Sequence, residues 1–150
     1  MPRWIGIDFG TKRIGLAVGD TDERIISPLE QLQVDKMSLN QVAKYIKTLA
    51  KNYGAVGAVV GWPINVDGSR GEQSQLALRF AADLAERTGL DVRLWDERLT
   101  SFDADSRLRG QYTQGKRKQR QDSIAAMAIL EDFFASDGPS NAQRPEELTK

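Results

Sequence analysis

The chain contains no cysteine and no histidine. Without cysteine there is no disulfide, no thiolate zinc site and no cysteine nucleophile. That absence suits a reducing compartment. Without histidine, Ser-His-Asp triads, imidazole bases and His-ligated zinc or haem are excluded. Acid, base or metal chemistry must then come chiefly from carboxylates, lysine, tyrosine or hydroxyls. A ligand set made only of carboxylates suits hard cations such as Mg²⁺ or Mn²⁺. Long apolar runs are missing too; none approaches the ~18 residues of a membrane span. The stretch Met1-Pro-Arg-Trp-Ile-Gly-Ile-Asp8 meets an acid too early for a signal peptide. Neither sign of charge is in excess, with 21 Lys plus Arg against 21 Asp plus Glu. These absences together predict a cytoplasmic protein with no membrane partner.

What is present fits one ordinary domain. The chain has 150 residues, 40% apolar and 28% charged, enough for a single sizeable core. Trp4 to Ile7 reads as a buried strand that ends in Asp8, with a turn at Gly10. Arg13 to Gly19 alternates, with Ile14, Leu16 and Val18 on one face, and reads as a second strand. Ile25 and Ile26 open a third, which Pro28 ends or places at a sheet edge. Leu39, Val42, Ala43, Ile46, Leu49 and Ala50 recur at helical spacing between a Ser38 cap and a Gly54 stop. Val56 to Val60 reads as a fourth strand, covered on both faces. A second helix carries the stripe Gln73, Leu76, Ala77, Phe80, Ala81 and Leu84 and stops at Gly89. Val92 to Trp95 is the fifth strand, a short helix starts near Thr100-Ser101, and the last helix begins near Asp122, burying Ala125, Ala126, Ile129 and Phe133.

The order βββ-α-β-α-β-α-α predicts an α/β fold. An antiparallel meander feeds parallel strands through right-handed crossovers. The expected product is a mixed five-stranded sheet with helices on both faces, over residues 1–136. Residues 137–150, with Gly138, Pro139, Ser140, Asn141 and Pro145, are expected to be a disordered tail.

The acids fall where strands end. Asp8 closes the first strand, and Asp96 and Glu97 close the fifth. Ligands gather at the carboxyl ends of parallel strands. Asp122 lies on the apolar stripe of the last helix, four residues before Ala126, and so shares the face that meets the sheet. Three carboxylates from distant segments then converge, an arrangement that is unfavourable unless a divalent cation lies between them. Each acid taken alone has an ordinary alternative: Asp8 a turn former, Glu97 an ion pair with Arg98, Asp122 a helix cap.

Asp8-Phe-Gly-Thr-Lys-Arg-Ile-Gly15 follows the first acid with a hydroxyl and two cations, Lys12 and Arg13, suited to a phosphate beside a metal. Its alternative is a hairpin turn with exposed cations. A related acid, Gly-Thr and hairpin pattern serves ATP phosphates in the actin and heat-shock chaperone class, so this motif alone names no substrate. Arg107, Arg109, Lys116, Arg117, Lys118 and Arg120 crowd one segment without an acid, with Tyr112 among them. On a neutral chain this is a local footprint for a polyanion, unless it is a plain exposed loop. Trp62, in Gly61-Trp62-Pro63-Ile64-Asn65-Val66-Asp67-Gly68, either stacks on a base or packs beneath its own loop; packing is the favoured reading.

These motifs resemble the YqgF or RuvX family of RNase H-like proteins, Holliday junction resolvases and pre-16S rRNA nucleases. The resemblance spans about residues 3–135. It rests on Ile7-Asp8-Phe9-Gly10-Thr11-Lys12-Arg13-Ile14-Gly15, on Val60-Gly61-Trp62-Pro63 with Asp67-Gly68, on Trp95-Asp96-Glu97-Arg98-Leu99-Thr100-Ser101, and on Asp122-Ser123-Ile124-Ala125-Ala126. The family usually has Leu where Trp62 stands, so base stacking is not a family trait there. The resemblance implies an RNase H-like fold, with Asp8, Glu97 and Asp122 as catalytic acids that bind two Mg²⁺ or Mn²⁺ ions for phosphodiester hydrolysis. Asp96 is the weaker alternative to Glu97. Lys12, Arg13, Lys116, Arg117 and Lys118 are the expected nucleic-acid contacts. The implied role is 5′-end maturation of pre-16S rRNA. The alternative is resolution of DNA four-way junctions, whose two symmetric cuts call for a homodimer. A non-catalytic nucleic-acid-binding module would not need all three acids, and an actin-type ATPase needs two duplicated halves that 150 residues cannot hold.

Overall fold

Six strands and five helices are seen in the computed structural model, which describes residues 2–62, 71–96 and 121–148. Strands β1 (Arg3–Asp8) and β2 (Arg13–Asp20) form a hairpin, followed by the short β3 (Ile26–Pro28) and β4 (Leu32–Gln33). Helix α1 (Leu39–Tyr53), β5 (Ala55–Trp62), α2 (Glu72–Thr88) and β6 (Asp91–Asp96) make the two crossovers. Helix α3 spans Gln121–Ala135, and two single turns, α4 (Gly138–Asn141) and α5 (Pro145–Leu148), close the chain.

The sheet order is β3-β2-β1-β5-β6, with β4 paired to β2 off that path. β1 is antiparallel to β2 and parallel to β5, and β5 is parallel to β6. The meander and the parallel half meet at β1. This is the mixed α/β sheet expected from the element order, with β4 added as a two-residue extra strand.

Helix α1 forms where its caps say it should. Ser38 accepts from the Gln41 amide while Gln41 Oε1 accepts from the Ser38 amide, a reciprocal cap. Gly54 ends the helix at φ 68°, a left-handed position that glycine adopts without strain. Gly89 ends α2 in the same way at φ 73°. On α2 the buried row is Ser74, Ala77, Phe80, Ala81 and Leu84. Gln73, expected in that row, is exposed; Ser74 is buried instead, and its carbonyl receives the Trp62 indole N–H.

Strand alternation sorts the core into two layers. Ile5, Ile7, Ile14, Leu16, Ala58, Val60, Trp62, Val92 and Leu94 face α1 and α2. Trp4, Ala17 and Val59 face α3, against Ala126, Ile129, Leu130 and Phe133. Helices therefore cover both faces of the sheet. Ala125 is only half-buried, beside that α3 row.

The segment after α3 departs from expectation. Residues 137–150 are expected to be disordered, yet the described part, residues 137–148, packs on β6, α2 and α3. Arg93 is 7% exposed, and its guanidinium pairs with Asp91 and donates to the carbonyls of Pro139 and Ala142. A buried guanidinium must be matched by acceptors, and the tail backbone supplies two of them.

Candidate active site

The geometry begins with a glycine. A Cβ at Gly6 would lie 2.7 Å from the Ala126 carbonyl oxygen and 2.7 Å from Leu130 Cγ, so α3 crosses directly over the middle of β1. Phe133 meets Trp4, nearer the start of β1, with ring centroids 5.0 Å apart. The helix therefore runs antiparallel to β1, and its first turn lies toward the carboxyl end of the strand. Asp122 precedes Ala126 by one turn, about 6 Å along the helix. Asp8 follows Gly6 by two residues, about 7 Å along the strand. Both displacements lead to the same edge of the sheet.

Asp8 shares the α3 face with Gly6, two positions earlier in the pleat. Phe9 turns to the opposite side and stacks on Phe80 of α2, with centroids 4.7 Å apart. Asp8 is half-buried. After it the backbone bends at Gly10, where a Cβ would lie 2.6 Å from the Arg13 carbonyl oxygen. Thr11, Lys12 and Arg13 are exposed along this turn. The Lys12 carbonyl receives the Val34 amide at 2.8 Å, which ties the turn to the segment after β4.

Asp96 ends β6 opposite Trp62 of β5. It shares its parity with Val92 and Leu94, which belong to the α1 and α2 layer. Trp95 instead lies against the α3 layer, with its ring 5.8 Å from that of Phe133. Asp8 and Asp96 thus reach one edge of the sheet but by opposite faces. Glu97, Lys116, Arg117 and Lys118 lie outside the described residues, as does the helix expected near Thr100-Ser101. For Asp122 the position on α3 is described.

The start of α3 is anchored by a residue that the sequence reading passed over. Ser123 is 3% exposed and donates its hydroxyl to the Leu29 carbonyl at 2.9 Å. The Leu29 amide in turn donates to Leu16 on β2 at 2.8 Å. A small hydroxyl beside Asp122 at a helix start was the available signal. Trp62 is 6% exposed and its indole N–H donates to the Ser74 carbonyl at 3.2 Å. It is buried against the start of α2, while the loop it was expected to pack beneath lies outside the described residues.

The donor chemistry at this edge fits a hard cation: the ends of β1 and β6 and the first turn of α3 each bring a carboxylate residue, and the chain has no softer ligand in histidine or cysteine. Among the described residues alone, no three such side chains form a metal-binding group.

Comparison with known proteins gives three results. The family model described as "RuvX: Holliday junction resolvase" matches residues 2–136. A protein of Rhodopirellula baltica is 42% identical over 133 residues, covering 88% of this chain and 76% of that protein. One of Geobacillus kaustophilus is 36% identical over 135 residues, covering 89% of this chain and 98% of that protein. Both carry the name "Putative pre-16S rRNA nuclease". Among solved structures, Thermus thermophilus RuvC in complex with Holliday junction substrate matches with a TM-score of 0.59 at 14% identity, covering 95% of this chain and all of that one. The fowlpox virus Holliday junction resolvase matches with a TM-score of 0.57 at 12% identity, over 89% of this chain and 99% of that one. These two likenesses concern the fold.

Proposed function

This chain belongs to the RuvX family, described as Holliday junction resolvase, and on that premise we propose that it is a divalent-metal-dependent nuclease that matures the 5′ end of pre-16S rRNA. The observation that carries the reading is the crossing of α3 over Gly6, which directs the Asp122 turn and Asp8 to one edge of the sheet. The names of relatives at 36–42% identity favour the ribosomal RNA precursor as substrate. The family description favours a second reading, resolution of DNA four-way junctions, whose two symmetric cuts would call for a homodimer. Nucleic acid is the partner in both. A cytoplasmic location follows from a ribosomal substrate, and no helix among the described residues is long and apolar enough to cross a membrane.

Asp8, Glu97 and Asp122 would hold Mg²⁺ or Mn²⁺. When bound, the ions supply Lewis-acid activation of water and stabilise the leaving 3′ oxygen in phosphodiester hydrolysis. Asp96 reaches the edge by the face opposite to Asp8, which favours Glu97 over Asp96 as the third acid. Lys12 and Arg13, exposed in the turn after Asp8, would meet backbone phosphates beside the site. Lys116, Arg117 and Lys118 would extend the footprint along the strand without reading bases.

The test is a cleavage panel with Mg²⁺ or Mn²⁺, offering pre-rRNA leader, single-stranded RNA, duplex DNA and a four-way junction to wild type and Asp8→Asn. Wild type should cut the leader and the variant should cut nothing. The amide keeps the shape and removes one of three like charges, so the metal-free variant should be at least as stable as wild type. Divalent metal should raise the wild-type Tm by a few degrees, on the order of 1 kcal/mol, and the variant's much less. An Asp8→Asn protein that cuts normally would reduce Asp8 to a turn former. Cutting of the junction alone, by a dimer in sedimentation, would replace the RNA reading with the junction reading.

A further inference from the structure

The family match ends at residue 136, yet the chain beyond it is built into the sheet. The Leu94 amide, on the outer side of β6, donates to the Gln143 carbonyl at 2.9 Å in an antiparallel bridge. Arg93 holds the same segment from below. Its Nη1 donates to Pro139 O at 2.9 Å and Ala142 O at 3.0 Å, while Nε and Nη2 pair with Asp91 at 2.8 and 3.1 Å. Its guanidinium carbon lies 6.0 Å from the centroid of the Trp4 ring. Arg144 adds a second cation to Asp91 at 3.3 Å. Gly138 is buried against Phe133, where a Cβ would overlap the ring. Pro145 is buried, and α5 packs on α2 and β6.

We propose that residues 137–148 form a positioning strap, clamped by Arg93, that completes the outer edge of β6 and fixes where Asp96 leaves the sheet. β6 is the terminal strand of the described sheet, held on its other side by β5 through Asp96 opposite Trp62. A terminal strand paired on one side frays at its end. The strap gives β6 a second hydrogen-bonded side at Leu94, two residues before Asp96. It thereby narrows the positions open to the acid-bearing end of the strand. Arg93 is a positioning residue here: it reaches the acids only through the backbone of β6. The catalytic consequence rests on the nuclease reading; the structural claim does not.

The experiment is amide hydrogen exchange on the 150-residue chain, wild type against Gly138→Val, which drives the strap off Phe133 and replaces no acidic or basic residue. Arg93→Lys is the second variant. It keeps a cation beside Asp91 but cannot reach both carbonyls, and it serves if the valine variant does not fold. The expected result is exchange faster by about tenfold or more at Leu94, spreading to Trp95, Asp96 and Trp62, with Ile7 and Leu16 unchanged. Acceleration confined to Leu94 would make the strap a mere edge cover and overturn the positioning. No acceleration at Leu94 would overturn the docking itself. In cleavage, kcat should fall with KM unchanged, since the phosphate contacts are untouched; an unchanged kcat alongside spread exchange would also overturn the proposal. If wild type cuts no nucleic acid, the nuclease reading falls, and the exchange data still decide the strap.

Discussion

Gly6 shows how one missing side chain sets the site. Without a Cβ there, α3 lies close enough for Ala126 and Leu130 to touch the backbone of β1. Gly6→Ala should therefore push the helix outward, at about 1–3 kcal/mol in stability by denaturant unfolding. Cleavage should fall further than that loss explains, because the helix carries Asp122 with it; activity kept in proportion to folded protein would show that α3 tolerates the shift. Trp62 makes the opposite case, a large side chain with a local purpose. Trp62→Phe should cost about 0.5–1.5 kcal/mol for the bond to Ser74, and leave nucleic-acid affinity unchanged in a filter-binding titration. A loss of affinity would revive base stacking.

At the scale of elements, the legible parts of the sequence were those with a repeating pattern or a paired signal. α1 could be read to its ends because Ser38 and Gly54 each satisfy backbone groups that every helix leaves open. The β1–β2 hairpin and both crossovers followed from alternation and from apolar runs. β4 escaped because two residues, Leu32 and Gln33, cannot display a period. The strap escaped because its composition resembles a linker and its partners lie far off in sequence. Its signal was Arg93, a cation between the apolar Val92 and Leu94 and two residues after Asp91. In the site, the ends of β1 and α3 were legible from chain order, whereas the face taken by Asp96 needed the register opposite Trp62.

The strap also carries a pH signature. Burial pushes the Asp91 carboxyl up, but its hydrogen bonds and charge interactions with Arg93, then those with Arg144, outweigh burial and hold it below its usual value. A carboxylate held low stabilises the fold fully above the ordinary range near ~3.9 and loses that effect as pH falls through the lowered value. The stability gap between wild type and Asp91→Asn should thus be widest near neutrality and close on acidification below about pH 4. Paired chemical-denaturation series across that range would measure it; a gap independent of pH would mean the ion pairs contribute nothing.

For the whole molecule, zero net charge means that any affinity for nucleic acid must come from local clusters rather than a global field. Changing Lys116, Arg117 and Lys118 together to Ala should weaken binding to every sequence alike. It should also flatten the dependence of log K on log salt, by about 2 to 3 units if each residue meets one phosphate. An unchanged slope would leave a plain exposed loop. The two halves of the sheet also differ in how far apart their partners lie along the chain. β1 and β2 meet across a short turn, whereas the bond from Leu94 waits for Gln143. On a translating ribosome that interval is on the order of 3–10 s at ordinary elongation rates. Throughout it the outer amide of Leu94 lacks the Gln143 acceptor, and neighbouring nascent chains on one messenger present the same edge. The residues that end this exposure to self-aggregation are thus made well after the edge they cover, and synthesis that stalls or stops before Gln143 should reduce yield out of proportion to the stability the strap confers.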